Sequence, residues 1–368
     1  MRYVKLEEIC FKGVSSLRQK DTLAVGDYPV YGASGICGYL SGYQHNEPYV
    51  AVVKDGAGVG RVQLCSGKSS VLGTLQALLP KDEVSCEYLY EVVRSLELGA
   101  GFTGSTIPHI YFKDYKNRTV VIYEKEQQTK ITTLFTTLKN VVELHKCAIS
   151  FYDELVKSRF VEMFGDPCDS QRSTMPCYSI KKFCEVRIGP FGSALHKSDY
   201  VLGSHALVNP SHIVKGKIKT DKKLTVNEEK YASMKAYHLK KGDVVLGRRG
   251  EIGRCAVVNQ EGLLCGTGSM ILRPNVHLCL SEYLQRVVSF PTFAKALERD
   301  AVGVTMKNLN AKIVENAVIA LPSMSLQREF ISFVAQVDKL KFETQQSIEK
   351  LQMLYDSLAQ EYFAPEGD

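Results

Sequence analysis

Five basic residues sit beside glycine turns: Lys54 and Arg61 around Gly56-Ala-Gly-Val-Gly60, and Arg248, Arg249 and Arg254 around Gly250-Glu-Ile-Gly253. An arginine at a hairpin tip can donate two parallel hydrogen bonds to a guanine edge, and lysine and arginine both neutralise phosphate, so the pattern suits reading nucleic acid in a groove. A solvated basic turn is the plainer account of the same residues. Thr106-Ile-Pro-His109 and Thr305-Met-Lys-Asn308 occupy matching places further on. They combine a hydroxyl (Thr106, Thr305) with a ring (His109), an ammonium (Lys307) or an amide (Asn308). Asn308 carries the acceptor and donor pair that adenine requires, and a structural turn before the next strand is the rival reading. Ser193 and His196, in Gly189-Pro-Phe-Gly-Ser-Ala-Leu-His196, complete the candidate DNA contacts.

Other chemistries fit less well. The glycines of 56–60 fall at alternate positions rather than as Gly-x-Gly-x-x-Gly, and strand-like Arg61-Val-Gln-Leu64 follows where a dinucleotide site needs a helix. A glycine hairpin is the better account. Gly67-Lys-Ser-Ser70 lacks the upstream glycine of a phosphate loop. Neither His145 nor His196 has an acid, cysteine or serine in a triad pattern, and His145 reads as a polar register device in a helical seam. No catalytic residue and no metal ligand is expected on this chain.

These residues are carried by a sequence that repeats itself. A constant offset of 199 residues pairs Gln128 with Gln327, Thr106 with Thr305, Lys113 with Lys312, Leu134 with Phe333 and Leu155 with Leu354. Upstream the offset falls to 193, where Val59-Gly60-Arg61 answers Ile252-Gly253-Arg254, and then to 174, where Leu6, Ile9 and Cys10 answer Ile180, Phe183 and Cys184. A stepwise change of offset marks loop insertions between diverged copies of a tandem duplication.

Each copy has two parts. Residues 1–124 mix short β-type runs (Tyr49–Val53, Arg61–Leu64, Leu75–Leu79, Thr119–Tyr123) with glycine turns and one helix from Cys86 to about Leu98, an α+β module. Residues 125–166 are helical, with a seam of Ile131, Leu134, Leu138, Val141, Ala148, Tyr152 and Leu155 interrupted by His145, and Gly165-Asp166-Pro167 stops the helix. The second module, 175–322, predicts strands at Asp243–Leu246, Cys255–Val258, Met270–Leu272 and Ala317–Leu321 and a helix from Ser281 to about Leu297. Residues 323–364 carry the cleaner seam: Leu326, Phe330, Phe333, Val337, Leu340, Thr344, Ser347, Leu351, Leu354 and Leu358. A seam needs a partner, and the obvious partner is the other helix, packed antiparallel so that the modules lie at opposite ends of a rod.

Composition sets wide bounds. With 368 residues, 45% of them apolar, the chain can fill two or three cores. A net charge of +6 is compatible with an anionic partner but does not demand one. Eleven cysteines without a Cys-x-x-Cys pair fit reduced thiols in a cytosolic protein. The first residues have no apolar signal core and no run reaches the ~18 apolar residues of a membrane span, so a cytoplasmic location is expected.

The chain resembles the specificity (S) subunits of type I restriction-modification systems. The resemblance rests on Gly26-Asp-Tyr-Pro-Val-Tyr-Gly-Ala-Ser-Gly35, on Gly189-Pro-Phe-Gly-Ser193, on the glycine turns before Arg61 and Arg254 and on the glutamine-containing helix openings, in a twice-repeated order of module and helix. It implies two tandem target recognition domains, each reading half of a bipartite DNA site, separated by two spacer helices forming an antiparallel coiled coil. It also implies double-stranded DNA, two modification (methyltransferase) subunits and restriction (endonuclease) subunits as partners. S-adenosylmethionine, ATP and Mg would reside on those partners, and no cofactor on this chain. The first module has Lys12-Gly-Val-Ser-Ser-Leu-Arg18 where the second has its Gly-Pro-Phe-Gly loop, so the two should read different half-sites. An enzyme would need a phosphate loop or an acid–base constellation. A coiled-coil adaptor that binds only proteins would explain the seams but not two elaborated glycine-loop modules.

Overall fold

A computed structural model describes residues 1–104, 108–169, 175–191, 194–301, 303 and 308–364. The chain divides into two compact units, Met1–Ala148 with Glu343–Asp368, and Ile149–Phe342. Two helices of 40 residues, Lys125–Phe164 and Met324–Phe363, each contribute one segment to each unit.

In the first unit Arg2–Lys5 pairs antiparallel with Thr119–Ile122. A four-stranded antiparallel sheet runs in the order Cys10–Lys12, Leu75–Pro80, Tyr49–Val53, Val62–Cys65. Tyr49–Val53 is buried throughout because both faces of the sheet are covered. Side chains alternate across a strand, so Val50 and Val52 join the core under the Cys86–Ser95 helix, with Tyr88, Leu89 and Val92. Tyr49, Ala51 and Val53 join a second core beneath the sheet of Gly35–Leu40, Tyr28–Gly32 and Ser70–Val71. Ser85 caps the helix by accepting from Tyr88 N.

The second unit repeats the plan. Cys177–Ser179 pairs with Val318–Ala320. The central sheet orders Cys184–Ile188, Ser269–Pro274, Val244–Gly247, Cys255–Val257. Val244 and Leu246 again face the helical core while Val245 faces the second sheet, which has grown to Thr225–Val226, His205–Val208, Leu263–Cys265 and His238–Leu239. The expected single helix from Ser281 to Leu297 is two helices, Ser281–Ser289 and Pro291–Asp300. Phe290 between them is extended, because the ring of a proline pushes the preceding residue out of the helical region.

Each long helix is stapled to its module by one buried glutamine. Gln128 accepts from Ser85 N and donates to the carbonyls of Glu83 and Tyr123, the latter two at 2.8 Å. Gln327 accepts from Leu280 N and donates to those of Leu278 and Pro322. The two long helices pack together antiparallel. Phe135 lies against Tyr355 with ring centroids 4.7 Å apart in the first unit. In the second unit Phe160 meets Phe330, Arg159 pairs with Glu329 and Lys341 with Asp153.

The expected seam is buried at Ile131, Leu138, Phe330 and Val337 but is not continuous. Leu134, Leu155, Leu340 and Leu354 are exposed, whereas Phe135, Val156, Phe160, Tyr355 and Phe363 are buried. The expected stripe supposed a helix meeting only its twin. Near each end the helix also meets a module, so the stripe is wider and its largest aromatic residues point into the three-way junction. His145 bonds the Val141 carbonyl of its own helix at 2.8 Å rather than reaching across. All eleven cysteines are unpaired, and burial pushes the Cys10, Cys65, Cys86, Cys255 and Cys279 thiols up to about 12, so they behave as packing groups. Among the described residues no helix is long and apolar enough to cross a membrane.

Candidate nucleic-acid interface

The glycine turns are hairpins between the last two strands of each central sheet. Val53 N donates to Arg61 O in the first unit, and Gly247 N to Arg254 O in the second, both at 2.8 Å. Gly60 and Gly253 have φ of +80° and +90°. A Cβ at Gly60 would lie 2.1 Å from Gly99 N and one at Gly253 2.4 Å from Ala294 Cβ, so these positions admit only glycine.

A returning segment then crosses the start of each hairpin. Ile110 N donates to Lys54 O in the first unit, where Asp55 and His109 form an isolated bridge. Leu309 N donates to Arg248 O in the second, where the bridge is between Arg249 and Asn308. The crossing therefore gathers Lys54 with His109, and Arg248 and Arg249 with Asn308, although about sixty residues separate the partners in the chain.

Arg61 and Arg254 stand on the far arm of each hairpin and are tied to the neighbouring sheet. Arg61 Nη1 donates to Ala33 O at 3.0 Å, beside Gln63, which donates to Gly32 O and Ala33 O. Arg254 Nη1 donates to Pro210 O at 3.3 Å and its Nη2 pairs with Glu251. His196 is exposed, and its backbone N donates to Asp199 Oδ2. Thr106, Ser193, Thr305 and Lys307 lie outside the described residues.

Arg248 is only 4% exposed. Its Nε donates to Asn308 Oδ1 at 3.0 Å, and its guanidinium carbon lies 5.8 Å from the centroid of the exposed Phe191 ring. Burial, and then the neighbouring Arg249, lower its pKa from the usual arginine range. Arg249 is exposed. Phe191 belongs to the Gly-Pro-Phe-Gly motif yet was not singled out as a site residue, because nothing local to that motif indicates an arginine 57 positions on. Gly189 of the motif packs so closely on Gly266 that a Cβ would sit 2.1 Å from its carbonyl oxygen. Among the described residues no group of histidine, cysteine, aspartate and glutamate could hold a metal.

Residues 1–150 and 194–353 match the family model described as the type I restriction modification DNA specificity domain. The S subunit of a type I restriction-modification system from M. genitalium is similar over 100% of this chain and 96% of its own, with 16% identity and a TM-score of 0.55. A chain from a structure of the type I system, solved to explain complex assembly and conformational transition, is similar over 98% and 97%, with 16% identity and a TM-score of 0.66. No curated protein matches the sequence. Identities this low establish likeness of fold, whereas the family match spans both repeats and most of the chain. The chain belongs to the type I restriction-modification DNA specificity family, whose members recognise DNA sequence.

Proposed function

We propose that this chain is the non-catalytic address label of a type I assembly. Each unit reads one half of a bipartite site, and the long helices set the gap between halves. Two modification subunits carrying S-adenosylmethionine methylate adenine at that site, and restriction subunits using ATP and Mg cut unmodified DNA. The candidate contacts are Lys54, Arg61, Thr106 and His109 for one half-site, and Ser193, His196, Arg248, Arg249, Arg254, Thr305, Lys307 and Asn308 for the other. Phosphate neutralisation, shared with the partners, would supply most of the affinity, and loop contacts to base edges the specificity.

The observation that supports this reading best is the hairpin crossing, built twice on the same backbone hydrogen bonds and furnished differently: Lys54, Asp55 and His109 in one unit, Arg248, Arg249 and Asn308 in the other. A common scaffold with exchanged tips is what two half-site readers of different sequence require. The test inserts four residues in the middle of Lys125–Phe164, with a matching insertion in Met324–Phe363 to keep the antiparallel register. At ~1.5 Å per residue this adds ~6 Å of rise, and base pairs are ~3.4 Å apart. Methylome sequencing of a host carrying the variant with its modification subunit should return the same half-sites with a spacer longer by about one to two base pairs. An altered half-site with an unchanged spacer, or methyl transfer by the isolated chain, defeats the reading.

A further inference from the structure

The pairing of Arg248 with Asn308 decides what Asn308 can offer to a base. The arginine Nε carries a single hydrogen and cannot accept, so the amide atom facing it at 3.0 Å is the carbonyl oxygen, Oδ1. This is a charge-assisted bond on a guanidinium that is almost wholly buried and covered by Phe191. With one lone pair of Oδ1 held, the amide presents Nδ2, a pure donor, and keeps only the second lone pair of Oδ1. Reading adenine bidentately would ask Oδ1 to accept a second hydrogen bond, from the adenine amino group, while Nδ2 donates to N7. Opposite Asn308 across the backbone bridge stands Arg249, exposed and also a pure donor. The described side chains at the crossing of the second unit therefore offer chiefly donors to the groove, whereas the equivalent crossing in the first unit has Lys54, Asp55 and His109 and no amide to fix.

Resting on the proposed DNA-reading function, we propose that Arg248 is a positioning residue that fixes the amide of Asn308, making this crossing a donor-rich reader of the guanine acceptor edge, N7 and O6, in the second half-site. Arg249 and Asn308 touch the base pair. Arg248, a candidate contact above, acts here by holding Asn308 rather than by touching the base.

The experiment uses the full chain assembled with its modification subunit and compares Arg248→Ala, Asn308→Ala, Asn308→Asp and the double variant Arg248→Ala/Asn308→Ala. Methylated motifs and DNA affinity are measured between 50 and 200 mM salt. Asn308→Asp keeps an acceptor for Arg248, so it tests reading even if Arg248→Ala fails to fold. Each variant should relax the same guanine-containing base pair of the second half-site, losing about 5- to 150-fold discrimination there. The double variant should be no worse than the worse single one, as for two residues acting as a unit. Equal weakening of Arg248→Ala on all sequences, with a salt dependence smaller by about one charge, would make Arg248 a phosphate contact and overturn the proposal. Relaxation at an adenine, or in the first half-site, overturns it as well. If the unmutated complex shows no sequence preference at all, the DNA-reading function itself has failed.

Discussion

At the scale of single residues, a buried group with a polar partner can tie stability to pH. His45, 6% exposed, donates from Nε2 to Val14 O at 2.9 Å in the first unit. Burial lowers its pKa, opposed by that hydrogen bond. Below the ordinary histidine value of ~6.5 the unfolded chain takes up a proton that the folded chain refuses. Stability from this group is complete above ~6.5 and lost as pH falls toward the lowered value. Thermal melting followed from pH 8 to pH 5.5 should show the first unit weakening across that window, and His45→Gln should flatten the trend. A wild-type profile no steeper than that of the variant would dismiss the assignment. Single residues were legible in sequence by type and position but not by partner. Arg248 and Asn308 were both visible as candidates, and their bond was not, because it closes a loop of sixty residues.

Elements were legible wherever their pattern is local. Tyr49–Val53 and Leu75–Pro80 follow from β-type runs between turns, and the long helices from their three-four spacing. The helix break before Pro291 lay within reach of the same rules, since the residue before a proline resists the helical conformation. The exposure of Leu134, Leu155, Leu340 and Leu354 in the seam did not, because it depends on the module packed against the helix. The clearest case is the polar junction at Glu91, on the helix of the first module. Lys139 of the first long helix donates to its carboxylate at 2.6 Å, Tyr355 of the second long helix also bonds it, and Arg94 lies 4.0 Å over the Tyr355 ring. Glu91 is 5% exposed, so removing it strands an ammonium and a phenol. Glu91→Ala should destabilise the first unit by about 1 to 3 kcal/mol, and Tyr355→Phe by about 1 kcal/mol. Urea unfolding of the two variants checks the order, and equal midpoints for Glu91→Ala and wild type would show that the junction is not structural.

At the scale of the whole molecule, the repeat was the most legible feature, and the structure carries it down to single hydrogen bonds. Gln128 and Gln327 make the same set of three bonds, and Leu6 N to Arg118 O is matched by Ile180 N to Ala317 O. The fourth strand of the second unit's second sheet, His238–Leu239, by contrast, is matched in the first unit only by an isolated bridge between His45 and Ser69.

The division of both long helices between the units has a consequence for how the chain is made. The second unit is one continuous stretch, Ile149–Phe342, and is complete as soon as residue 342 has been synthesised. The first unit begins at Met1 yet must wait for the last segment, since Tyr355 covers Phe135 and Phe363 packs on Tyr88. On the ribosome the half translated second should therefore close first, while the half translated first holds Phe135, Tyr88 and Glu91 open until the end. Domains usually complete themselves in the order of translation, and this chain should reverse it. In a chain ending at Phe342, amide exchange should remain slow in Val244–Gly247 and Ser269–Pro274 and become fast in the Cys86–Ser95 helix, and slow exchange in that helix would mean that the first unit closes unaided.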